Sequence, residues 1–314
     1  MQKMMAREKL KEMYINSLKE NKIPWRREWS NAESPYNAAS GKAYRGINNL
    51  ILSYVSELRG YKDPRWMTLN QANAKGYRIK ARPADFKGDY GIKIEYWSIY
   101  DSKTKRNIDF SKYNEIKKTD PDRADQMKLV NRVSTVFNAD QISGIPKYVK
   151  EDKESFEMDD VLKCMIDNMN IEVKQVGSRA CYSPSDDKIR IPEKKQFHSE
   201  YAFESTLLHE LAHSTGHESR MGRDLSGEFG SQEYAREELR AEISSSFVCQ
   251  ELGFDYVEDD LDNHKAYIQD WIKILEDDPN ELFRAIKDAE GISEYMVERS
   301  DLELLREKEN MKMI

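Results

Sequence analysis

The sequence predicts a two-domain protein of the α+β class, and three observations support this. The chain has 314 residues, whereas one domain usually takes about 100–200. Residues 1–150 contain 30 Lys and Arg against 17 Asp and Glu, a balance of +13. Residues 151–314 contain the other 20 and 40, a balance of −20. Some segments repeat apolar residues at helical spacing and others alternate as strands do. We place the boundary in a polar segment, giving domains 1–148 and 149–314.

Composition limits the class of protein. The three cysteines are far apart and form no C-x-x-C pair, which favours reduced thiols and a cytoplasmic location. Residues 1–10 contain four charged side chains and no apolar core of a signal peptide. No apolar run approaches the length that spans a bilayer, so no membrane association is expected.

The basic half begins with an amphipathic helix over residues 4–20 and has a second helix over 48–58. Alternating apolar residues predict strands over 91–97 and 133–138. Residues 101–127 are charged and nearly free of large apolar side chains, so we interpret them as a loop or insertion.

Four of the five tryptophans lie in this basic half. Trp66 and Trp97 are expected in the core. Trp25 and Trp29 flank Arg26 and Arg27 in a non-periodic stretch and are expected to be exposed. Aromatic rings among basic residues are typical of single-stranded nucleic acid binding, because rings stack on bases and cations contact phosphates. Tryptophans packed in a core beneath a solvated basic surface are the alternative.

The acidic half begins with a helix over 161–169 and three strands over 171–176, 180–183 and 188–191. Pro192 stops the last strand, which suggests a sheet edge. An extended peptide could add to such an edge. A helix over 233–252, capped by Ser231, and two more over 263–275 and 280–289 complete the prediction.

The central motif is H-E-x-x-H at His209–His213, between an N-cap candidate, Ser199, and Gly216. Residues four apart share one helix face, so His209 and His213 can bind one zinc ion while Glu210 acts as general base. Four of the five histidines fall between His198 and His217, which argues against chance. Gly216 ends the helix before His217, so His217 is expected to cap or support rather than ligate.

A zinc ion held by two histidines needs a third protein ligand and one open position to be catalytic. Glu238 and Glu242 are four residues apart on the predicted helix 233–252 and share a face. One can ligate while the other orients a ligand histidine. The pair resembles that of the glutamate zincins, in which the first carboxylate binds the metal and the second supports a histidine, and this resemblance implies Glu238 as ligand and Glu242 as support. Glu237 points about 100° away from Glu238, so we expect its replacement to change little. Surface carboxylates pairing with Arg236 or Arg240 are the alternative.

The sequence resembles ArdC-type antirestriction proteins. In the second half the resemblance rests on the segments 180–182, 187–192, 207–217, 234–242 and 267–271, and on Phe197. In the first half it rests on the segments 44–48, 66–68, 71–72 and 136–141, and on Gly76. The chain departs from the family pattern at Ser214, where an aromatic residue is common, and in the stretch 101–127.

The resemblance implies an antirestriction protein of a mobile element such as a plasmid or phage. Its first domain would bind single-stranded DNA, with Tyr44 and Arg45 joining the candidates above. Its second domain would be a zincin-like metallopeptidase that holds Zn²⁺, or Mn²⁺ or another divalent metal, and acts on an unknown protein substrate. Tyr182 is a candidate to stabilise the oxyanion. The alternative is a non-proteolytic protein that coats single-stranded DNA and uses its metal structurally. A nuclease or primase accessory would need carboxylate-rich phosphate chemistry that the sequence does not show.

Overall fold

A computed structural model of the chain describes residues 2–25, 34–150, 157–252, 254, 261–278 and 280–305, with the side chains of 2–9 and 261–266 left out. The chain divides into two compact units by internal packing. Unit 1 comprises Met1–Ala6, Pro35–Ala43 and Val55–Tyr148. Unit 2 comprises Arg7–Ser34, Tyr44–Tyr54 and Val149–Ile314. The mixture of helices and sheets confirms the predicted α+β class.

Unit 1 is built on a five-stranded sheet with strand order β1-β2-β6-β4-β5. The strands are β1 (Tyr36–Asn37), β2 (Arg65–Thr68), β4 (Ile92–Asp101), β5 (Arg106–Ile108) and β6 (Lys128–Asn138). A second, two-stranded sheet pairs β3 (Arg78–Ile79) with β7 (Ile142–Ser143). Helix α3 (Leu69–Ala74) begins at Thr68, whose hydroxyl accepts from the Gln71 amide in a reciprocal cap. Trp66 is fully buried, as predicted, and Trp97 is half-buried.

The prediction of a loop over residues 101–127 is wrong. This stretch forms β5, helix α4 (Phe110–Thr119) and helix α5 (Pro121–Asp125). Asp109 and Asp120 cap the two helices by accepting backbone N–H bonds, and Pro121 takes the first helical position. Only Ile116 and Ala124 are buried on the two helices, which explains why hydrophobic periodicity did not reveal them.

Unit 2 is mainly helical. Helix α1 (Gln2–Lys19) enters it, and helix α2 (Gly46–Arg59) begins in it. Its other helices are α6 (Met158–Met169), α7 (Glu200–Ser214), α8 (Gln232–Leu252), α9 (Leu261–Asp277) and α10 (Glu281–Arg299). One hydrophobic core contains apolar side chains of α6, α7, α8 and α10 together with Ile189 and Ile191.

The sheet of unit 2 contains β8 (Glu172–Gln175), β9 (Cys181–Ser183) and β10 (Lys188–Ile191) in the order β8-β10-β9. The prediction that residues 188–191 form an edge strand is therefore wrong. β10 pairs in parallel with β8 and antiparallel with β9, so it is central. Pro192 follows the last paired residue, where its missing N–H costs no ladder bond.

Packing groups residues 7–34 and 44–54 with the acidic half rather than with the sheet of unit 1. Helix α1 buries Leu10, Tyr14 and Leu18 within unit 2. Unit 1 ends at Tyr148, where the sequence places the domain boundary. That the chain consists of the domains 1–148 and 149–314 remains a prediction. No helix among the described residues has the length and apolar character needed to cross a membrane.

Candidate metal centre

The two histidines of the motif lie on α7, which begins where predicted. The Ser199 hydroxyl accepts from the Ala202 amide at 3.0 Å and caps the first turn. The helix ends at Ser214. His209 and His213 are one turn apart, and their Nε2 atoms are separated by 3.0 Å. Their rings are nearly perpendicular, at 84°, so both Nε2 atoms point to the same space.

Glu238 on α8 faces this space. Its carboxylate oxygens lie 3.3 Å from His209 Nε2 and 3.4 Å from His213 Nε2. The side chain is buried, with 6% of the residue exposed. Ala241 and Ser244, which are small and fully buried, follow on α8, which packs against α7. The structure thus brings together the three residues that the sequence predicts as ligands.

The spacing of these atoms fits a divalent metal. One ligand atom from each of the three residues lies within 4.8 Å of the others. Two ligands that bind a tetrahedral zinc at about 2.0–2.1 Å are roughly 3.4 Å apart. The observed separations of 3.0, 3.3 and 3.4 Å come close to this value. Two imidazoles and one carboxylate also form a donor set that zinc uses in catalytic sites, with one position left open.

Each histidine has a separate carboxylate behind it. Glu242 Oε2 lies 3.4 Å from His209 Nδ1, and Glu237 Oε1 lies 3.3 Å from His213 Nδ1. Acceptors of this kind hold the imidazole so that Nε2 faces the metal. Glu242 therefore lies behind His209, and its supporting role stays a prediction. The expectation that Glu237 matters little does not include this contact, because a side chain about 100° from Glu238 on α8 still reaches His213 Nδ1.

The loop between α7 and α8 reaches the site through Arg223. Its guanidinium donates to Glu237 Oε1 at 2.6 Å and to the Ala212 carbonyl at 3.2 Å. It also contacts the Thr215 hydroxyl. Arg223 and Glu237 are both largely buried. Arg223 therefore holds Glu237 against His213 and ties the loop to the metal centre.

The carboxylates control the protonation of the metal-free histidines. Burial lowers the pKa of both imidazoles, but the carboxylates outweigh it. Glu238 and Glu242 raise the pKa of His209 well above its ordinary value, and Glu237 and Glu238 raise the pKa of His213 to about 9. Although burial raises the pKa of Glu238, its contacts with the two histidines lower it overall. A metal must displace protons from these imidazoles, so its binding competes with protonation.

Glu210, the predicted general base, is buried next to His209 on α7. Its charge acts on Cys181 of β9, where burial and then Glu210 raise the pKa of the thiol. It also acts on Tyr267 of α9, whose pKa is raised first by burial and then by the Glu238 and Glu210 charges. Glu210 thus lies on the helix that packs against β9 and α8.

Two tyrosines that were given no role from the sequence line the site. Tyr234 opens α8, and its hydroxyl lies 3.5 Å from that of Tyr267. Burial, the charge of Glu238 and hydrogen bonds to Tyr267 and Glu238 raise the pKa of Tyr234. Tyr234 is one turn before Glu238, a spacing from which its position could have been inferred.

Tyr182, the predicted oxyanion residue, has other partners. Its hydroxyl donates to Asp187 Oδ1 at 2.9 Å, and Arg220 approaches it to 3.5 Å. Arg220 also contacts Asp187 directly. These contacts give the hydroxyl a role in fixing β9 and the following turn. His217 is outside the metal cluster, because its Nδ1 accepts from the Ser219 amide at 3.2 Å.

The predicted exposure of Trp25 is wrong. Its side chain is 1% exposed and meets the Trp271 ring edge-on with centroids 5.3 Å apart. It also contacts Tyr14 on α1, and its carbonyl accepts from the Ser246 hydroxyl at 2.5 Å. Trp25 is therefore a core residue of unit 2 and cannot stack on a base. The other predicted members of the cluster, Arg26, Arg27 and Trp29, lie outside the described residues.

The remaining candidates for DNA binding are Tyr44 and Arg45. Tyr44 is partly buried. Arg45 is exposed, and its guanidinium pairs with Glu294 of α10 at 2.5 Å. That pair compensates the charge of Arg45 within unit 2, so its role in contacting phosphates stays a prediction.

Two family models match consecutive parts of the chain. Residues 4–137 match the N-terminal domain of anti-restriction factor ArdC, and residues 160–288 match a zincin-like metallopeptidase. Crystal structures of the antirestriction ArdC protein from plasmid R388, one metal-free and one Mn(II)-bound, are 28% identical to the chain, with a TM-score of 0.69. The match covers 94% of this chain and 97% and 98% of those chains.

Curated relatives are similar in sequence to this chain over most of its length. Two proteins named DNA primase TraC from Escherichia coli are 38% and 37% identical over 91% and 92% of it. The chain spans only 19% and 27% of their lengths. An uncharacterized protein, y4eC, from Sinorhizobium fredii (strain NBRC 101917 / NGR234) is 31% identical over 88% of this chain and 84% of its own length. The name primase thus describes much longer proteins.

Proposed function

Because this chain belongs to the ArdC-type antirestriction proteins and contains a zincin-like domain, we propose that it combines single-stranded DNA binding with zinc-dependent peptide hydrolysis. The observation that supports hydrolysis is the convergence of His209, His213 and Glu238 beside Glu210. A purely structural zinc site is usually closed by four protein ligands. Here three ligands leave a position open, and the neighbouring carboxylate of Glu210 has a use in catalysis.

His209, His213 and Glu238 would hold the metal, and Glu242 and Glu237 would fix the two imidazoles. When bound, the metal supplies Lewis acidity that activates water and polarises a carbonyl. Glu210 accepts the proton of the attacking water at its carboxylate and delivers it to the leaving amine. We assign zinc on the donor set, with Mn²⁺ or another divalent metal as the alternative.

The sheet offers a place for an extended peptide. Among the described strands, β9 rather than β10 lies at the edge of the sheet that packs on α7. An extended segment added to β9 would run beside the helix that carries Glu210. The edge strand beside α7 is thus β9 and not β10, the strand expected from the sequence. The proposed substrate is an unidentified protein.

Support for DNA binding comes from the match to the ArdC N-terminal domain and from the balance of +13 over residues 1–150. A basic surface attracts phosphates and makes binding depend on salt. The R388 protein to which the chain is similar is an antirestriction protein. We therefore propose that the chain protects incoming DNA of a mobile element from restriction.

The deciding experiment is Glu210→Gln, which removes the base and keeps the ligands. The variant should retain wild-type metal content and melting temperature but lose hydrolysis and protection of unmodified DNA in a restricting host. Glu233→Gln, at the exposed start of α8, is the matched control. If protection survives Glu210→Gln at full strength, the metal is structural and the chain acts by coating DNA.

A further inference from the structure

One aromatic side chain of unit 1 is exposed in the middle of a sheet. Tyr96 lies near the centre of β4 and is 58% exposed, although Ile94 and Ser98 on the same face are buried. Among the described residues of unit 1, only one other aromatic side chain is exposed, Phe110 at the start of α4, which is 47% exposed. Tyr96 is thus the aromatic ring that the described part of the sheet presents to solvent.

On the face that carries Tyr96, the positions of β4 and β6 have positive charge only. β4 pairs antiparallel with β6 so that Tyr96 is directly opposite Arg132 and Tyr100 is opposite Lys128. Direct partners share a face, and residues two apart do so as well. On this face β4 contributes no charged residue. Its acidic residues, Glu95 and Asp101, are buried and belong to the other face.

The two cations on this face have no carboxylate partner in the described part of the chain. The ion pairs there within unit 1 join Arg65 to Asp63, Lys112 to Glu115 and Arg123 to Asp101. Arg132 and Lys128 are both exposed and take part in none of them. Their charge therefore remains available to a ligand.

A depression adjoins the ring. It has a volume of about 450 Å³ and is lined by Tyr96, Asn107, Ile108, Asp109 and Lys112. Asn107 pairs with Tyr100 across the β4–β5 ladder and so lies on the face of Tyr96. The exposed ring thus has Arg132 on one side and a depression with Asn107, Lys112 and one carboxylate, Asp109, on the other.

We propose that this face of β4 and β6, centred on Tyr96 and Arg132, is the site at which the chain binds single-stranded DNA. Tyr96 would stack on a base while Arg132 and Lys128 contact phosphates of the same strand. An aromatic ring can stack only on a base whose face is free, and an unpaired strand offers such faces along its length. The β4 and β6 positions of this face are complementary to a polyanion because they contain cations and no acid. The carboxylate in the lining of the depression, Asp109, accepts from the Lys112 amide at the start of α4. The proposal rests on the proposed DNA binding and assigns it to residues of unit 1 instead of Trp25.

The test compares full-length variants in binding a fluorescent oligo-dT strand by anisotropy at several salt concentrations. Tyr96→Ala should weaken binding about tenfold or more, the usual effect of losing one stacked base. Arg132→Ala should reduce the slope of log K against log salt by about 0.7, the value for one phosphate contact to a single strand. Arg106→Ala is the matched control. Arg106 lies opposite Asp101 in the β4–β5 register and therefore belongs to the other face of the sheet. Phe229→Ala, an 81% exposed aromatic of unit 2, controls for loss of a surface ring.

Unchanged melting temperatures should accompany these effects, since the altered side chains are exposed. If the wild type binds oligo-dT and Tyr96→Ala and Arg132→Ala bind within twofold of it, the site is elsewhere and DNA binding itself stands. An equal loss in Arg106→Ala also overturns the site. If the wild type does not bind oligo-dT at low salt, both the site and the proposed DNA binding are wrong.

Discussion

The replacement Glu237→Ala tests how the metal centre is held. From the sequence, little effect is expected, because Glu237 points away from Glu238 on α8. The structure leads to the opposite expectation. The side chain lies 3.3 Å from His213 Nδ1 and 2.6 Å from Arg223, so its removal takes one acceptor away from each group. The imidazole of His213 is then free to rotate away from the metal.

Two magnitudes follow from these contacts. Losing the carboxylate that orients a ligand histidine typically weakens metal binding about 10–100-fold, or about 1.4–2.8 kcal/mol. Arg223 is 14% exposed. Breaking a fully buried pair costs about 3–5 kcal/mol. Because Arg223 keeps its bond to the Ala212 carbonyl, we expect about 2 kcal/mol and a fall in melting temperature of about 4–8 °C.

Competition with a chromophoric chelator at constant pH gives the Zn²⁺ dissociation constant, and calorimetry of the metal-free protein gives the melting temperature. Glu233→Ala, one turn earlier on α8 and exposed, should match the wild type in metal affinity. An affinity of Glu237→Ala within twofold of the wild type, alongside a lowered melting temperature, would refute the reasoning. Glu237 would then serve only to pair Arg223.

Two further predictions concern unit 2. Glu238→Ala should lose the metal on dialysis and Glu242→Ala should weaken its binding about 10–100-fold; full occupancy in Glu238→Ala contradicts the ligand assignment. Burial, followed by the charges of acidic neighbours, raises the pKa of Glu204 from 4.5 to about 7. A raised carboxyl pKa favours the protonated folded state, so stability should decline as pH rises from about 4.5 to about 7. Glu204→Gln should lose less melting temperature than the wild type between pH 5 and pH 8, and an equal loss in both proteins disproves this coupling.

The shared position of the two histidines in the candidate metal centre could be predicted from the sequence because their geometry is local. His209 and His213 share a face on any straight helix, and Ser199 starts that helix by a local hydrogen bond. Arg223 could not be predicted in this way. It reaches Glu237 from an irregular loop, and no period in the sequence determines where such a loop places its side chains.

The burial of Trp25 could not be predicted from its local sequence. Its neighbours in sequence are arginines, and a non-periodic basic stretch is typical of an exposed segment. Its burial depends on Trp271, which is 246 residues away in sequence. The prediction of a loop over residues 101–127 was wrong for a related reason. The buried residues of its two helices are Ile116 and Ala124, and one buried position in each helix is too few to show a helical period. Aromatic-basic composition therefore says little about which ring faces solvent, and the burial of each ring decides it.

Three carboxylates of α8 approach the two histidines of α7 from different directions. On a helix of 3.6 residues per turn, Glu237 and Glu242 lie about 100° to one side and about 40° to the other side of Glu238. Glu238 therefore faces both Nε2 atoms, while the outer two reach the Nδ1 atoms behind them. The pairing of His209 with Glu242 and of His213 with Glu237 requires α7 and α8 to run antiparallel. If Glu242 or Glu237 took the place of Glu238 as ligand, one histidine would lose the acceptor that orients it. The spacing E-E-x-x-x-E after H-E-x-x-H is thus a sequence signal for the whole centre, with one shared carboxylate in front of the histidines and one behind each.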